Sequence, residues 1–251
     1  MKVSIITAVR NGARDIAATL ASVAGQDHPD IEHIVVDGAS TDDTVGVVRR
    51  LGPHVARLLS EPDTGVYDAF NKGLRLATGD VVGYLNAGDT YSSPGAVSRI
   101  AGQFARGDIE ATFGDVLIVD PADPARVLRH YRSASFAPSR LAWGFMPAHP
   151  TLFIRRTTYA QCGGYDASYR IAGDFDLCVR LFASARIRFA YIPEALVRMP
   201  RGGLSNSGWR SVRTITEEMR RSCRAHGVRT SYAQLLARMP LKLLEVVRHG
   251  H

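Results

Sequence analysis

No stretch of the sequence is apolar for long enough to span a bilayer. An arginine, aspartate or glycine interrupts each hydrophobic run before the roughly 18 residues that a transmembrane helix needs. The amino-terminal apolar stretch is also too short for a signal peptide, and no small-residue cleavage site precedes Arg10. We therefore expect no membrane span, and we interpret residues 3–7 as a first strand.

Cysteine is scarce. The three cysteines, Cys162, Cys178 and Cys223, are odd in number, far apart in the chain and form no Cys-x-x-Cys pair. A reducing compartment is the simplest setting for this pattern. The sequence therefore predicts a cytoplasmic protein.

Lysine is nearly missing, because 28 of the 31 cationic side chains are arginine. A GC-rich genome explains this bias as readily as anion binding does, so it carries little functional weight. The net charge of +7 and the isoelectric point of 9.6 come from the carboxyl-terminal residues, where 209–251 hold nine Lys or Arg against three Glu. Because the remainder is nearly neutral and shows no interleaving of basic and aromatic residues, we do not expect nucleic-acid binding.

The composition of the 251 residues is that of a globular protein. Apolar residues make up 45%, charged residues 22% and aromatic residues 8%, with a mean hydropathy of -0.06. These values exclude a disordered, collagen-like or coiled-coil chain. The length fits one α/β domain with an extension. We place the domain at 1–208 and the extension, a basic amphipathic helical tail, at 209–251.

Short β-rich runs alternate with helical patterns over the first hundred residues, which is typical of parallel βαβ units. Strands are predicted at 3–7, 31–36, 56–59 and 81–85, and the clearest amphipathic helix at 66–77. Beyond residue 90, strands and helices no longer alternate regularly. Further strands are predicted at 111–119, 127–131, 151–154, 187–192 and 196–199, and helices at 94–105, 174–183, 211–225 and 231–249.

Polar clusters follow three of the predicted parallel strands. They lie at 7–12, 37–42 and 86–89, where ligands bind at the carboxyl ends of strands in open α/β sheets. The sequence lacks both Gly-x-Gly-x-x-Gly after strand one and Gly-x-x-x-x-Gly-Lys-Ser/Thr. A dinucleotide-binding Rossmann domain and a P-loop enzyme are thereby excluded.

Five sequence motifs in order carry a resemblance to a known family. They are SIITAVRN at 4–11, IVVDGASTDDT at 34–44, DTGVYDAFNKG at 63–73, ATGDVVGYLNAGD at 77–89, and GGYD at 163–166 followed by IAGDFDL at 171–177. Together they resemble the inverting glycosyltransferases of family 2, and the resemblance covers residues 3 to about 200. Bacterial exopolysaccharide, lipopolysaccharide and glycolipid assembly enzymes are the most similar members. The fold that this implies is an α/β GT-A fold, with a Rossmann-like, mostly parallel sheet flanked by helices and a carboxyl-terminal helical extension.

The resemblance implies a nucleotide diphosphate sugar as donor, with UDP or dTDP favoured. Asp37 is expected to accept a hydrogen bond from the imide N–H of uracil or thymine. The same pocket is expected to contain Thr7, Arg10, Asn11 and Asn86, with Asp68 and Lys72 near the nucleotide and its phosphates. Alternatives remain for two of these assignments, because Asp37 also suits an Asx turn and Asp68–Lys72 also suits an exposed i,i+4 helix pair.

Asn86-Ala87-Gly88-Asp89 occupies the position of the family's metal motif, often Asp-x-Asp-Asp. Here one carboxylate, Asp89, and a neutral oxygen from Asn86 remain. This set still suits Mn²⁺ or Mg²⁺ because phosphate oxygens and water complete the coordination of such ions. The cation would act as a Lewis acid on the leaving diphosphate.

Inverting transfer requires one carboxylate to take the proton of the acceptor hydroxyl. The resemblance assigns this role to Asp174, although Gly173 replaces the Glu that precedes it in the family; helix capping by Asp174 or Asp176 is the alternative. Asp166 is the second candidate base. On the acceptor side we also expect Trp143, His149 and Tyr165, each with a structural role as the alternative, and a flexible lid over 202–205.

The sequence thus predicts a cytoplasmic, metal-dependent, inverting glycosyltransferase acting on a glycan or lipid-linked acceptor. The tail 209–251 is expected to contact the anionic inner face of the plasma membrane, or alternatively to pack on the catalytic core or a second subunit. A homo-oligomer is compatible with either arrangement. The rival function is a catalytically inert nucleotide-sugar-binding or scaffold subunit of a glycan-assembly complex.

Overall fold

The first half of the chain forms the predicted alternation of strands and helices. A computed structural model describes residues 1–105, 107–202 and 209–237. Strands β1 to β4 pair in the parallel order β3-β2-β1-β4, with helices between them. Their bounds are β1 (Val3–Val9), α1 (Ile16–Ala24), β2 (Ile31–Asp37), α2 (Thr44–Leu51), β3 (Val55–Ser60), α3 (Val66–Leu76) and β4 (Val81–Tyr84).

Helix α3 shows why the predicted helical face lies against the sheet. Ala69, Phe70 and Gly73 are buried on one face of the helix, as the i, i+3, i+4 spacing requires. A β-carbon at Gly73 would run into the side chain of Ile6 on β1, so this helix approaches the sheet at a distance that only glycine permits.

The second half of the sheet is mixed in strand direction. It continues from β4 in the order β8-β6-β9-β5, with β7 beside β6; β8 is antiparallel to both neighbours, whereas β6 and β9 are parallel. The α/β fold with a sheet flanked by helices is thus confirmed. The bounds are β5 (Thr90–Tyr91), α4 (Ala96–Phe104), β6 (Ala111–Val119), β7 (Val127–Tyr131), β8 (Phe153–Arg155), α5 (Arg156–Cys162), α6 (Gly173–Cys178), β9 (Phe189–Pro200) and α7 (Trp209–Ala225).

Several boundaries in this half differ from the predictions. The two strands predicted at 187–192 and 196–199 are one continuous strand, β9, and the helix predicted at 174–183 changes into a π-helical turn at Val179–Ser184. Strand β5 and helix α5 have no counterpart among the predicted elements. Both are too short to show a hydrophobic period, so only tertiary packing defines them.

Strand register brings the ends of several strands to one edge of the sheet. Val9 lies opposite Asp37, and Asp37 lies opposite Ser60, so β1, β2 and β3 end together. Because β8 runs antiparallel to β4, the chain leading into β8 starts from this same edge and brings His149 to it. The candidate residues of both halves therefore meet at one edge.

The beginning of the tail packs on the core. Met219 and Cys223 of α7, together with Leu235, belong to the largest hydrophobic cluster, and Ser222 Oγ donates a 2.8 Å hydrogen bond to Asp176. This agrees with the packing alternative for α7 and Leu235, whereas residues 238–251 and 203–208, the latter containing most of the lid predicted at 202–205, lie outside the described residues. The division at residue 208 stays a prediction. Within the described ranges, no helix has the length and apolar character needed to cross a bilayer.

Candidate active site

Asp37, the predicted pyrimidine ligand, lies fully buried at the end of β2. Its Oδ2 accepts hydrogen bonds from Ser40 N at 3.0 Å and Ser60 Oγ at 2.6 Å, and its Oδ1 accepts one from Ser40 Oγ. Ser40 lies three residues after Asp37, so this contact is a local turn, but Asp37 does not cap the next helix, because α2 begins at Thr44 with Asp43 at its N-cap. Because Asp37 is fully buried, a nucleobase could bond to its carboxylate only after one of the surrounding side chains moves.

Asn11 connects the two loops at the ends of β1 and β2. Its Oδ1 accepts a hydrogen bond from Thr41 N at 2.8 Å, and its backbone N–H donates to Ser40 Oγ at 2.7 Å. Asn11 and Ala39 adopt left-handed backbone angles, with φ of 51° and 54°. Such strain in a β-carbon-bearing residue persists where the surroundings fix the backbone, and it concentrates at functional sites.

Thr7 and Arg10 have different environments although both belong to the predicted cluster at the end of β1. Thr7 is fully buried and its Oγ1 lies 3.0 Å from His33 Nε2, because strand alternation places its side chain inside the protein with Ile5. We therefore correct the prediction that its side chain lines the donor pocket. Arg10 is exposed, and its Cδ lies beside the backbone of Gly38 together with the Asp63 carboxylate.

Asp63 lies where the loops after β2 and β3 meet, an edge of the site that we call the rim. The sequence-based predictions gave this residue no role. A β-carbon at Gly38 would collide with the Asp63 carboxylate, so the two loops meet closely at this rim. Asp63 Oδ1 also accepts a hydrogen bond from Gly65 N at 3.0 Å, which shapes the entry into α3. Its position at the start of the motif at 63–73 was the signal that could have identified it.

Lys72 is neither an exposed helix residue nor directed to a phosphate. It is 8% exposed, and its Nζ lies 2.9 Å from the Glu61 carboxylate, 2.6 Å from the Pro62 carbonyl and 3.7 Å from Asp68. The Glu61 hydrogen bond in particular raises the pKa of Lys72. Lys72 and Asp68 thus form the i,i+4 pair of the alternative interpretation, but Lys72 is buried rather than exposed, and its ammonium group also holds the β3–α3 loop on α3. Asp68 accepts a hydrogen bond from Thr64 N at 3.1 Å in the same loop.

The Asn86–Asp89 turn follows β4 and carries two oxygen donors. Asn86 Oδ1 is buried and has no hydrogen-bond partner among the described residues, and Asp89 is buried at 5% exposure. Burial raises the pKa of Asp89 to about 7. Thr19 fixes the turn, because its Oγ1 donates to Asp89 O at 2.9 Å and accepts from Gly88 N at 2.9 Å.

These features fit a divalent cation held jointly by protein and ligand. A buried amide oxygen without a partner among the described residues and a buried carboxyl group that resists ionisation are both oxygen ligands that a bound divalent cation would satisfy. The described residues contain no group of three or more His, Cys, Asp or Glu side chains able to hold a metal. Asn86 and Asp89 would therefore supply part of the coordination, and the diphosphate and water the rest.

The structure separates the three acidic candidates on the acceptor side. Asp174, at the start of α6, is half-buried, and its Oδ1 accepts hydrogen bonds from Phe175 N at 2.8 Å and Tyr67 Oη at 3.4 Å. Asp176 is buried against Arg180, at 2.9 Å, and Ser222. Asp166 is exposed and accepts from Ser168 N at 2.8 Å in a local turn. Asp176 is therefore structural, whereas Asp174 stays partly exposed.

Tyr67 explains why position 173 carries glycine. A β-carbon at Gly173 would lie 2.8 Å from the Tyr67 ring, so the ring occupies the space that a larger residue would need. The Tyr67 hydroxyl donates to the Ile171 carbonyl, and burial raises the pKa of Tyr67, which keeps the hydroxyl protonated. Tyr67 was likewise absent from the predicted site, although it adjoins Asp68 in the same motif.

His149 and Tyr165 belong to a buried aromatic cluster beside Asp174. Tyr165 is 5% exposed, stacks on Tyr67 at a centroid distance of 5.6 Å, and its hydroxyl lies 2.7 Å from His149 Nε2. Burial lowers the pKa of His149, and the Asp174 carboxylate opposes this. We therefore correct the prediction that Tyr165 offers a face to a sugar. Trp143 is 45% exposed, and its acceptor role stays a prediction.

A cavity of about 530 Å³ adjoins Tyr67, which contacts Asp174. It lies between the first turn of α3, the segment 167–171 and the start of α7, and its lining includes Asp68, Ile171 and Thr214. Volumes of this order are typical of small-molecule sites. Tyr67 therefore separates the cavity from the proposed base, whose Oδ1 lies 3.4 Å from the Tyr67 hydroxyl.

Comparison with known proteins gives concordant matches. The family model described as Glycosyl transferase family 2 matches residues 4–164. A PGL/p-HBAD biosynthesis glycosyltransferase of Mycobacterium bovis (strain BCG / Pasteur 1173P2) is 32% identical over 211 residues, which are 81% of this chain and 79% of the relative.

Two solved structures share the fold at low sequence identity. The mannosyltransferase PcManGT from Pyrobaculum calidifontis, in complex with GDP-Man and Mn²⁺, has a TM-score of 0.69 at 21% identity and covers 98% of this chain and 73% of its own. S. aureus TarS 1-349 in complex with UDP-GlcNAc has a TM-score of 0.68 at 19% identity, covering 87% and 66%.

Proposed function

Because the chain belongs to glycosyl transferase family 2, we propose that it is an inverting, metal-dependent enzyme that transfers a sugar from a UDP or dTDP donor to an acceptor hydroxyl. The observation that carries this proposal is the pair of oxygen donors at the end of β4. Asn86 Oδ1 is buried without a partner among the described residues and Asp89 is a buried carboxylate, and both follow the carboxyl end of β4, the edge at which ligands bind in open α/β sheets.

In the reaction, the bond between the anomeric carbon and the diphosphate oxygen breaks, and a bond to the acceptor oxygen forms on the opposite face. A divalent cation held by Asn86 and Asp89 would stabilise the negative charge of the leaving diphosphate. Asp174 takes the proton of the acceptor hydroxyl, which makes the oxygen a better nucleophile as the anomeric carbon gains positive charge. Exposed Arg10 is positioned at the rim to attract the anionic donor.

For the acceptor we propose a glycan or a lipid-linked molecule. The name of the mycobacterial relative assigns that protein to PGL/p-HBAD biosynthesis, and its 32% identity over most of both chains supports an acceptor of glycolipid type here. A cytoplasmic setting at the inner face of the plasma membrane belongs to the same proposal. The exposed arginines of α7 and the segment after it, Arg213, Arg221, Arg224 and Arg229, are the described groups that would face an anionic surface.

The rival function is an inert nucleotide-sugar-binding or scaffold subunit. Its motivation is the reduced Asn-Ala-Gly-Asp motif and the glycine at 173. Tyr67 weakens it, because the ring accounts for Gly173 sterically while Asp174 stays partly exposed.

The test of donor class is a thermal-shift panel. UDP-glucose, UDP-GlcNAc, dTDP-glucose, GDP-mannose and CMP-sialic acid are each added with and without Mn²⁺, since a ligand that binds the native state raises its melting temperature. We expect the largest rise with a UDP or dTDP sugar and only when Mn²⁺ is present. A larger rise with GDP-mannose, or equal rises with and without Mn²⁺, would overturn the donor or the metal assignment respectively.

A further inference from the structure

Glu218 of helix α7 holds the segment that precedes the proposed base. Its carboxylate accepts hydrogen bonds from three consecutive backbone N–H groups, those of Arg170 at 2.8 Å, Ile171 at 3.0 Å and Ala172 at 2.8 Å. Hydrogen bonds to a carboxylate are about twice as strong as those between neutral groups, so this contact fixes the backbone of the segment.

The same segment is held from the opposite side. Tyr67 of α3 donates its hydroxyl to the Ile171 carbonyl, so the N–H and the C=O of one residue bond to side chains of two different helices. The Tyr67 hydroxyl also lies 3.4 Å from Asp174 Oδ1. Asp174 follows this doubly held residue by only three positions, so its carboxylate has little freedom to move relative to α3 and α7.

We propose that Glu218 is a positioning residue that sets the location of the Asp174 carboxylate for proton transfer. This inference rests on the proposed function, because it takes Asp174 as the base. It also places α7 in the active site, although α7 lies beyond residues 4–164, which the family model matches. The start of α7 lines the cavity beside Tyr67, which agrees with this placement.

The test compares Glu218→Gln with Glu217→Gln. The amide introduced by Glu218→Gln has one acceptor oxygen in place of two, and its NH₂ group would face a backbone N–H. Glu217 is the adjacent residue on α7, but it is exposed and pairs with Arg213 at 2.8 Å, so Glu217→Gln removes the same charge without touching the segment. The assay measures nucleoside diphosphate release, with water as acceptor, from the panel sugar nucleotide that gives the largest thermal shift.

We expect Glu218→Gln to lower kcat by about 10- to 100-fold, since small misplacements of a catalytic group cost rates of this order. KM for the donor should change by less than about 2-fold, because donor binding is not made by this segment. Glu217→Gln should behave as wild type. Ser222→Ala, which loosens α7 at its contact with Asp176, should lower the melting temperature and leave kcat within about 2-fold.

A double-mutant cycle with Asp174→Asn isolates the positioning effect. If Glu218 acts through Asp174, Glu218→Gln should lower the residual rate of Asp174→Asn by less than about 2-fold, because the group that it positions no longer accepts a proton. Wild-type turnover by Asp174→Asn would refute the base assignment and with it the positioning role, whereas a wild-type protein that releases no nucleoside diphosphate from any donor of the panel would refute the proposed function. If Asp174→Asn is inactive, two results would refute only the positioning role. One is a wild-type kcat in Glu218→Gln, and the other is a double mutant whose loss of rate equals the two single losses multiplied together. Should Glu218→Gln fail to fold, Glu218→Asp, which keeps the charge but shortens the reach, is judged by the same criteria.

Discussion

At the scale of single residues, proton transfer depends on Asp174. Changing Asp174→Asn removes the proton acceptor while keeping the shape and the hydrogen bond from Phe175 N. We expect kcat to fall by about 10²- to 10⁴-fold, as is typical for loss of a general base. The donor-induced thermal shift should remain. Asp166→Asn is the matched control, because that carboxylate is used in a local turn with Ser168.

If Asp166→Asn were the inactive variant and Asp174→Asn the active one, the base would have to be reassigned. Donor binding by the wild-type protein without turnover of any donor in the panel would instead favour the inert subunit. Turnover of a bound donor therefore distinguishes the two functions, and donor binding and turnover can both be measured on one preparation.

The metal motif gives a second prediction at this scale. Asn86→Asp should strengthen Mn²⁺-supported donor binding, because it adds a carboxylate where a buried oxygen has no partner in the described structure. Asp89→Ala should weaken it, because the turn then has no carboxylate. Titration of Mn²⁺ at fixed donor concentration, followed by melting temperature, gives the order of affinities. Identical Mn²⁺ midpoints for all three proteins would argue against a metal at this turn.

At the scale of secondary-structure elements, Glu32 joins the amino-terminal ends of β1 and β2 to the loop before β4. Burial alone would raise the pKa of Glu32, but hydrogen bonds from Ser4, Thr78 and Lys2 outweigh it and lower the pKa to about 2. Ser4 Oγ lies 2.6 Å and Thr78 N 2.8 Å from its carboxylate. A carboxylate that is easier to ionise in the folded state stabilises that state above the unfolded pKa of 4.5.

This stabilisation should disappear as the pH falls from 4.5 towards 2. We expect Glu32→Gln to lower the free energy of unfolding by about 3 kcal/mol at pH 7, and by progressively less in acid, because each pKa unit is worth about 1.4 kcal/mol. Urea unfolding of both proteins from pH 7 to pH 2.5 measures the difference. A deficit that is constant over this range would mean that charge is not its cause.

Helix packing predicts opposite effects at two glycines. Gly73→Ala in α3 should destabilise the protein by about 1–3 kcal/mol, because its β-carbon meets Ile6 in a filled core. Gly102→Ala in α4 should stabilise it by about 0.5–1 kcal/mol, because a β-carbon there meets no atom within 4 Å and alanine favours the helix. Urea midpoints of the two variants provide the comparison, and effects of the same sign would contradict the close approach of α3.

At the scale of the whole molecule, the question is whether the tail serves as a membrane contact as well as part of the core. Leu235 and Cys223 are already buried, so insertion of these apolar residues would require unpacking. The exposed cations remain suited to an anionic surface, where each contributes about 1 kcal/mol. We therefore expect peripheral binding by the full chain that rises with the fraction of phosphatidylglycerol in vesicles and falls with salt.

Co-sedimentation with vesicles of phosphatidylcholine alone is the baseline. Arg224→Ser with Arg229→Ser should reduce sedimentation with anionic vesicles, because both side chains are exposed on the described part of the tail. Absence of binding at low salt would refute the membrane contact.

The sequence by itself determined the elements that local patterns encode. The parallel strands β1 to β4, helix α3 and the position of the Asn86–Asp89 turn follow from hydrophobic period and from polar residues at strand ends. Five motifs in order also identified the family, because their spacing is set by the same framework. The choice of Asp174 over Asp176 as the base stays a prediction, although the structure buries Asp176 against Arg180 and leaves Asp174 partly exposed.

Only the tertiary structure decided which polar side chains remain available for chemistry. Thr7, Lys72 and Tyr165 were expected to face ligands, yet each contacts another side chain of the protein: Thr7 contacts His33, Lys72 contacts Glu61 and Tyr165 contacts His149. Glu218 and Tyr67 fix the segment before Asp174 from helices far apart in the chain. A sequence pattern reports which face of an element is apolar, but a hydrogen-bond partner is set by the packing of distant elements, and that packing exists only in the folded chain.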